Sequence, residues 1–327
     1  MLHFSRARQQ RFLISVWLLL PAVIWATEPE AGLQQWLSNI SNSKRKLNYE
    51  GTFIYQCGRQ TVSMKIVHVS DEQGEREHLE SLNGPPLKIL QDDDHITAVL
   101  TGQQGEFLTQ HAQRSLPSAE MFFDHALEAL YDLTSRGYDR TAGRKTRVLE
   151  ISPKDQFRYG YRIWVDEETG LVLRSEMVDE KGKVIEMMMF TSFRLLPEAV
   201  QLAEAAQARP LETGSPETTG SVETDSAQDA RSWRIATVPD GFHLAKRSVS
   251  SRGGKAASEH WLYTDGLASV SVFIERREPD SEPFEGTARM GAVNAFGKMV
   301  DGHQVTVVGE VPIVTVKKIG QSIARLP

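Results

Sequence analysis

The sequence predicts an α+β protein, mainly antiparallel β, divided into two domains. Three observations carry this expectation. Short segments with period-two alternation succeed one another from Tyr49 to Phe193, and the connections between most of them are too short for crossover helices. Residues 201–231 then turn to Ala, Glu, Thr, Ser, Gly and Pro with few large apolar side chains, too few to bury a core. A second series of short strands follows, ending in a helical stripe, and 327 residues is long for one domain.

The chain begins with Arg6, Arg8 and Arg11, an uncharged run from Phe12 to Ile24, and Ala26 before the polar Thr27. This is the form of a cleavable secretory signal peptide, residues 1–26. The run is shorter than the roughly 20 apolar residues that span a bilayer, so an exported, soluble mature chain is expected. A helix is predicted over 32–46, where Leu33, Trp36, Leu37 and Ile40 share a face and Lys44-Arg-Lys46 sits at the C-terminal end. Strands are predicted over 49–56, 62–69, 76–82, 87–91 and 95–100, parted by Asn83-Gly-Pro-Pro86 and Asp92-Asp-Asp94. Ser118 is placed to cap a helix running to Leu133, with Met121, Phe122, Phe123, Leu127 and Leu130 on its apolar side.

From Gly143 to Arg194 the alternation becomes dense. In 158–166, Tyr159, Tyr161, Ile163 and Val165 point one way, and Arg158, Gly160, Arg162 and Trp164 the other. After a turn at Glu167-Glu-Thr-Gly170, the strand 171–178 adds Leu173 and Met177 to the apolar row. After a second turn at Asp179-Glu-Lys-Gly182, the strand 184–193 carries Met187, Met188, Met189 and Phe190, so soft side chains fall on both faces. This apolar face reads either as core beneath a helix or as a binding surface. About nine strands with only two helices to cover a curved sheet leave room for an apolar concavity that a ligand fills.

These elements make a front domain over 27–200, a flexible acidic linker over 201–231 and a smaller rear domain over 232–327. The rear domain is predicted to open with a strand from Trp233 that ends in the Pro239-Asp-Gly turn. Strands over 259–264 and 268–275 flank Asp265-Gly266, the clearest hairpin signal in the chain. Strands over 289–300 and 304–308 follow, and a helix from Pro312 to Leu326 presents Ile313, Val316, Ile319 and Ile323 as one stripe.

Charge and motifs exclude several functions. With 37 Lys and Arg against 43 Asp and Glu, the net charge of −6 argues against nucleic acid, which demands a basic footprint. A stacking platform built from Tyr159, Tyr161, Arg158 and Arg162 is set aside on the same ground. Cys57 is the single cysteine, so no intramolecular disulfide can form. Asp92-Asp-Asp-His95 is the only dense set of metal-type ligands and reads as a solvated turn. Glu75-Arg-Glu-His78 lacks the two histidines one helical turn apart that would bind a single ion. No Gly-x-Ser-x-Gly elbow or phosphate loop occurs, and His125, His260 and His303 have no evident Ser and carboxylate company. No catalysis, metal or cofactor is expected.

Five stretches, in order along the mature chain, resemble the RseB/MucB family of periplasmic envelope-stress regulators. They are Leu47-Asn-Tyr-Glu-Gly-Thr-Phe-Ile-Tyr55, Leu79-Glu-Ser-Leu-Asn-Gly-Pro-Pro86, Ser152-Pro-Lys-Asp-Gln-Phe-Arg-Tyr-Gly-Tyr161, Leu262-Tyr-Thr-Asp-Gly-Leu-Ala-Ser-Val-Ser-Val272 and Val305-Thr-Val-Val-Gly-Glu-Val-Pro312. The resemblance covers the mature chain except the linker. It implies a front domain like the lipoprotein carriers LolA and LolB, an open antiparallel half-barrel with a helical lid, joined to a smaller antiparallel sheet domain with one covering helix. It implies a periplasmic protein that binds the periplasmic segment of a transmembrane anti-sigma factor and shields it from the protease that begins sigma-E-type signalling. Release would follow when the front domain senses lipid, lipopolysaccharide or the acyl chains of mislocalised lipoprotein. On this reading the lipid candidates are Tyr159, Tyr161, Ile163, Leu173, Met177, Met187 and Met189. The partner candidates are Tyr263, Phe273, Arg289, Val305 and Val307, the last two on a strand edge running from Val305 to Val308. A lipid or lipoprotein carrier without regulatory role is the alternative, and a homo-oligomer is open. The Thr/Ser-rich linker and the Met187 to Met189 run depart from the family pattern.

Overall fold

A computed structural model describes residues 47–71, 74–84, 87–92, 95–100, 125–197, 232–250, 258–277 and 281–326. The expected leader 1–26, the helix over 32–46, the first part of the second helix (118–124) and the linker 201–231 lie outside the described residues.

In the front domain β1 (Tyr49–Cys57), β2 (Gln60–Asp71), β3 (Gly74–Ser81), β4 (Leu87–Asp92) and β5 (His95–Leu100) form a meander, and a short 3₁₀ turn (His125–Ala129) precedes the next strands. These are β6 (Tyr131–Thr141), β7 (Arg144–Pro153), β8 (Gly160–Asp166), β9 (Val172–Val178) and β10 (Val184–Leu195). They make one ten-stranded sheet in the order β5, β4, β3, β2, β1, β10, β9, β8, β7, β6. Two meanders are thus joined through the antiparallel β1 and β10, and β5 and β6 remain as edges, so the sheet is open rather than closed into a barrel. β1 buries alternate side chains, with Tyr49, Phe53, Tyr55 and Cys57 all on the inner face.

The helix expected to reach Leu133 is corrected. Tyr131 to Thr141 is strand, paired with β7 from Tyr131 opposite Pro153 to Thr141 opposite Arg144. Leu127 and Leu130 are at helical spacing, but beyond them the ladder to β7 outweighs that local preference, which is only a weak prior.

The rear domain contains β11 (Trp233–Ile235), β12 (His243–Ser250), β13 (Ser258–Thr264), β14 (Ser269–Arg276), β15 (Gly286–Met290), β16 (Val293–Val300), β17 (His303–Gly309), α1 (Ile313–Ser322) and β18 (Ile323–Arg325). Six strands form a sheet in the order β12, β13, β14, β17, β16, β15, while β11 pairs with β18. The 13–14 hairpin stands as expected, with Thr264 opposite Ser269. Two boundaries differ and one strand is additional. The strand 289–300 is two strands, because Gly291 at φ 60° turns the chain back. The last helix stops at Ser322, because Ile323 to Arg325 is taken by β11. β12, an edge strand of mostly exposed residues with little apolar alternation, gave no signal in the sequence. The stripe of α1 buries Val316 and Ile319 against Phe296, Val305 and Val307.

Candidate functional site

Register fixes which side of the front sheet each candidate occupies, since directly opposed residues share a face. Tyr161 lies opposite Met177, and Ile163 opposite Ser175, which in turn faces Met188. Met188 lies opposite Tyr55, and Phe190 opposite Phe53. Ile163 packs with Leu149, Ile151, Val165 and Val172. Leu173 packs with Phe53, Met188 and Phe190. Ile163 and Leu173 are completely buried, so the inner face is core in this state rather than an open groove.

Met187 and Met189 do not join them. They lie opposite Glu176 and Arg174 on one side and Gln56 and Ile54 on the other, half-buried on the reverse face. A strand changes face at every residue, so Met188 is the methionine of the run that points inward. Tyr159 is also displaced from the expected role. It precedes β8, packs with Met177, Ile185 and the rear-domain Ala292, and its hydroxyl accepts a 2.9 Å hydrogen bond from Asn294 Nδ2. Burial raises its phenol pKa.

Tyr159 is one of several residues that join the two domains. Arg158, expected only as the polar neighbour of the apolar row, has a fully buried side chain whose Nε donates to Asp265 Oδ2 at 2.6 Å. The same oxygen accepts from the Tyr131 hydroxyl at 3.0 Å. Arg158 also pairs with Asp155 and donates to the Asp240 carbonyl, and its guanidinium lies 4.9 Å from the Phe242 ring centre. Asp265 stands at the tip of the β13–β14 hairpin, where its other oxygen accepts from the backbone N–H of Leu267 and Ala268 at 2.9 and 2.7 Å. One carboxylate therefore shapes the rear turn and anchors it to the front domain, with Leu267 packed on the cluster around Leu127 and Tyr131. Burial and the Asp265 charge both push the Tyr131 phenol pKa upward. Beyond it, Thr315 Oγ1 donates to the Phe157 carbonyl at 2.7 Å. Asp265-Gly266 was legible as a turn, but nothing in local pattern marks its partner across the chain.

At the other end of this contact Cys57 meets Gly291. A Cβ on Gly291 would collide with Cys57 Sγ, at a backbone φ of +60° that disfavours side chains. Gly291→Ala is expected to destabilise the chain by about 1–3 kcal/mol in urea unfolding, from overpacking and backbone strain. Adding Cys57→Ala should recover part of that loss, and no recovery would show that the contact is not what Gly291 serves. Burial raises the Cys57 thiol pKa, which keeps it protonated and inert.

The partner candidates do not share a surface. Val305 and Val307 are corrected: β17 lies between β14 and β16, so there is no edge there, and both valines are completely buried in the small-domain core. Tyr263 packs on that same core. Phe273 stands on the opposite face, stacked on His260 with ring centres 4.4 Å apart. Arg289 is exposed on the edge strand β15, its Nε donating to the Gly291 carbonyl. Among the described residues no group of three or more His, Cys, Asp or Glu is placed to hold a metal ion, and no helix is long and apolar enough to cross a membrane.

Two family models match the chain in succession. The model of the MucB/RseB N-terminal domain matches residues 32–211, and that of the MucB/RseB C-terminal domain residues 227–324. The chain is 30% identical over 321 residues to the sigma factor AlgU regulatory protein MucB of Pseudomonas aeruginosa, covering 94% of this chain and 96% of that one. It is 26% identical over 311 residues to the sigma-E factor regulatory protein RseB of Haemophilus influenzae, covering 95% and 96%. A crystal structure of MucB in complex with MucA(peri) superposes with a TM-score of 0.64 at 26% identity, covering 90% of this chain and 98% of that one. A complex structure of Pseudomonas aeruginosa MucA/MucB gives 0.65 at 27% identity, covering 90% and 99%. With both domains matched in order across nearly its whole length, the chain belongs to the MucB/RseB family.

Proposed function

We propose that this chain is a periplasmic negative regulator of a sigma-E-type envelope stress response. It binds the periplasmic segment of a transmembrane anti-sigma factor and shields that segment from regulated proteolysis. The observation that carries this reading is end-to-end similarity to regulators of this kind, which includes the solved complexes of MucB with MucA.

The finer part of the reading is lipid sensing by the front domain. Tyr161, Ile163, Leu173 and Met177, with Met188 and Phe190, share one largely apolar face that Ser175 and Glu186 interrupt, while Tyr159 belongs to the domain contact. Because that face is buried, an acyl chain enters only by displacing side chains. Tyr161 packs against both the inner-face cluster of Ile163 and the cluster that holds Tyr159 and Ala292, so displacement reaches the contact between the domains. Lipid and partner then favour different states, as coupling requires.

The test is protection of the anti-sigma periplasmic segment from its protease by the purified mature chain, with and without lipid A or an acylated peptide. Protection that ligand relieves is expected. No protection would remove the regulator and leave a lipid carrier; protection untouched by either ligand would remove the sensing.

A further inference from the structure

The small domain's inner face is covered unevenly. α1 buries Val316 and Ile319 over β16 and β17, and beyond it a cleft of about 540 Å³ lies between the β11–β18 ribbon and the ends of β12, β13 and β14. Its apolar floor is the half-buried Val249 together with the exposed edges of Trp233 and Ile274, both otherwise buried in the small-domain core. The Trp233 ring is met edge-on by His303, with ring centres 5.2 Å apart, and Arg325 lies 5.9 Å from the indole centre.

Charge in this cleft is not balanced. Glu259 is buried, but its carboxylate already accepts from Arg247 at 2.8 Å and from Trp261 Nε1 at 2.9 Å. Arg276 and Arg325 are exposed and have no carboxylate partner among the described residues. Against these two guanidinium groups stands Asp301, on the turn before His303. An unpaired guanidinium is a fork of donors suited to a carboxylate, and an indole beside it suits an apolar side chain. Asp301 disfavours a multiply charged phosphate, whereas a peptide can offer its amide N–H groups to that oxygen.

We propose that this cleft binds a peptide segment in which an acidic side chain neighbours an apolar one, with Arg276 and Arg325 taking the carboxylate and Trp233 the apolar group. The site lies on the small domain alone and does not depend on which partner the regulator serves.

The probe is an N-acetylated hexapeptide of alternating glutamate and leucine, titrated into the full mature chain up to about 1 mM by calorimetry, with the Trp233 indole N–H followed by NMR. Saturable binding that weakens with salt is expected, with about tenfold loss in Arg276→Gln/Arg325→Gln and no change in Arg289→Gln. Both replaced arginines are exposed, so the double variant should keep the wild-type melting temperature. The proposal is overturned by no binding, by equal affinity for the glutamine counterpart of the peptide, or by equal affinity in the double variant. Full competition by equimolar inorganic phosphate would also overturn it, because the cleft would then be a simple oxyanion site.

Discussion

Asp265→Asn is expected to lower the unfolding free energy of the chain by about 3 kcal/mol, the lower end of what breaking a buried ion pair costs. Arg158 and Asp265 are both wholly shielded from solvent, so the neutral amide leaves the guanidinium without its fully buried counter-charge. Asp155 also pairs with Arg158 and is partly exposed, which is why the lower end applies. The variant further weakens acceptance of the Tyr131 hydroxyl and of the two turn amides. Urea unfolding followed by fluorescence measures the loss, and faster hydrogen exchange at Leu267 and Ala268 locates it. The double replacement Arg158→Met/Asp265→Leu should be more stable than Asp265→Asn, because it buries no unpaired charge. A change below about 0.5 kcal/mol in Asp265→Asn would mean that the hairpin is held by apolar contacts alone.

Leu173→Ala should cost about 2–5 kcal/mol, the range for truncating a completely buried leucine. Met189→Ala, on the half-buried reverse face, should cost less than about 1 kcal/mol. The contrast separates the two readings of the dense apolar stretch. If the inner face is core, Leu173→Ala lowers the urea midpoint, whatever it does to lipid binding. If stability is unchanged while lipid A binding falls, the face is a ligand surface that is open in solution.

Most strands were legible because one face of each is buried and the side-chain period of two then appears directly, as in Tyr49, Phe53, Tyr55 and Cys57. Legibility failed where that signal was absent or shared. β12 exposes most of its residues and shows no alternation. β6 begins with apolar residues that suit a helix equally well, and only its pairing with β7 decides between them. The methionine run could not be assigned to a face from sequence, since three successive methionines occupy both; register gave Met188 the inner side and Met187 and Met189 the outer.

By itself the sequence determined the antiparallel class, the Asp265-Gly266 turn and the family, because these depend on local periodicity, turn chemistry and ordered short motifs. Tertiary structure alone decided how the domains meet. The buried Arg158–Asp265 pair joins residues 107 positions apart, and Cys57 meets Gly291 across a still longer separation. No local pattern encodes such pairings, since a buried charge is tolerable only once the fold brings its partner to it. For the same reason Val305 and Val307, which read as an edge available to a partner, became the center of a core once β14 and β16 closed on either side of them.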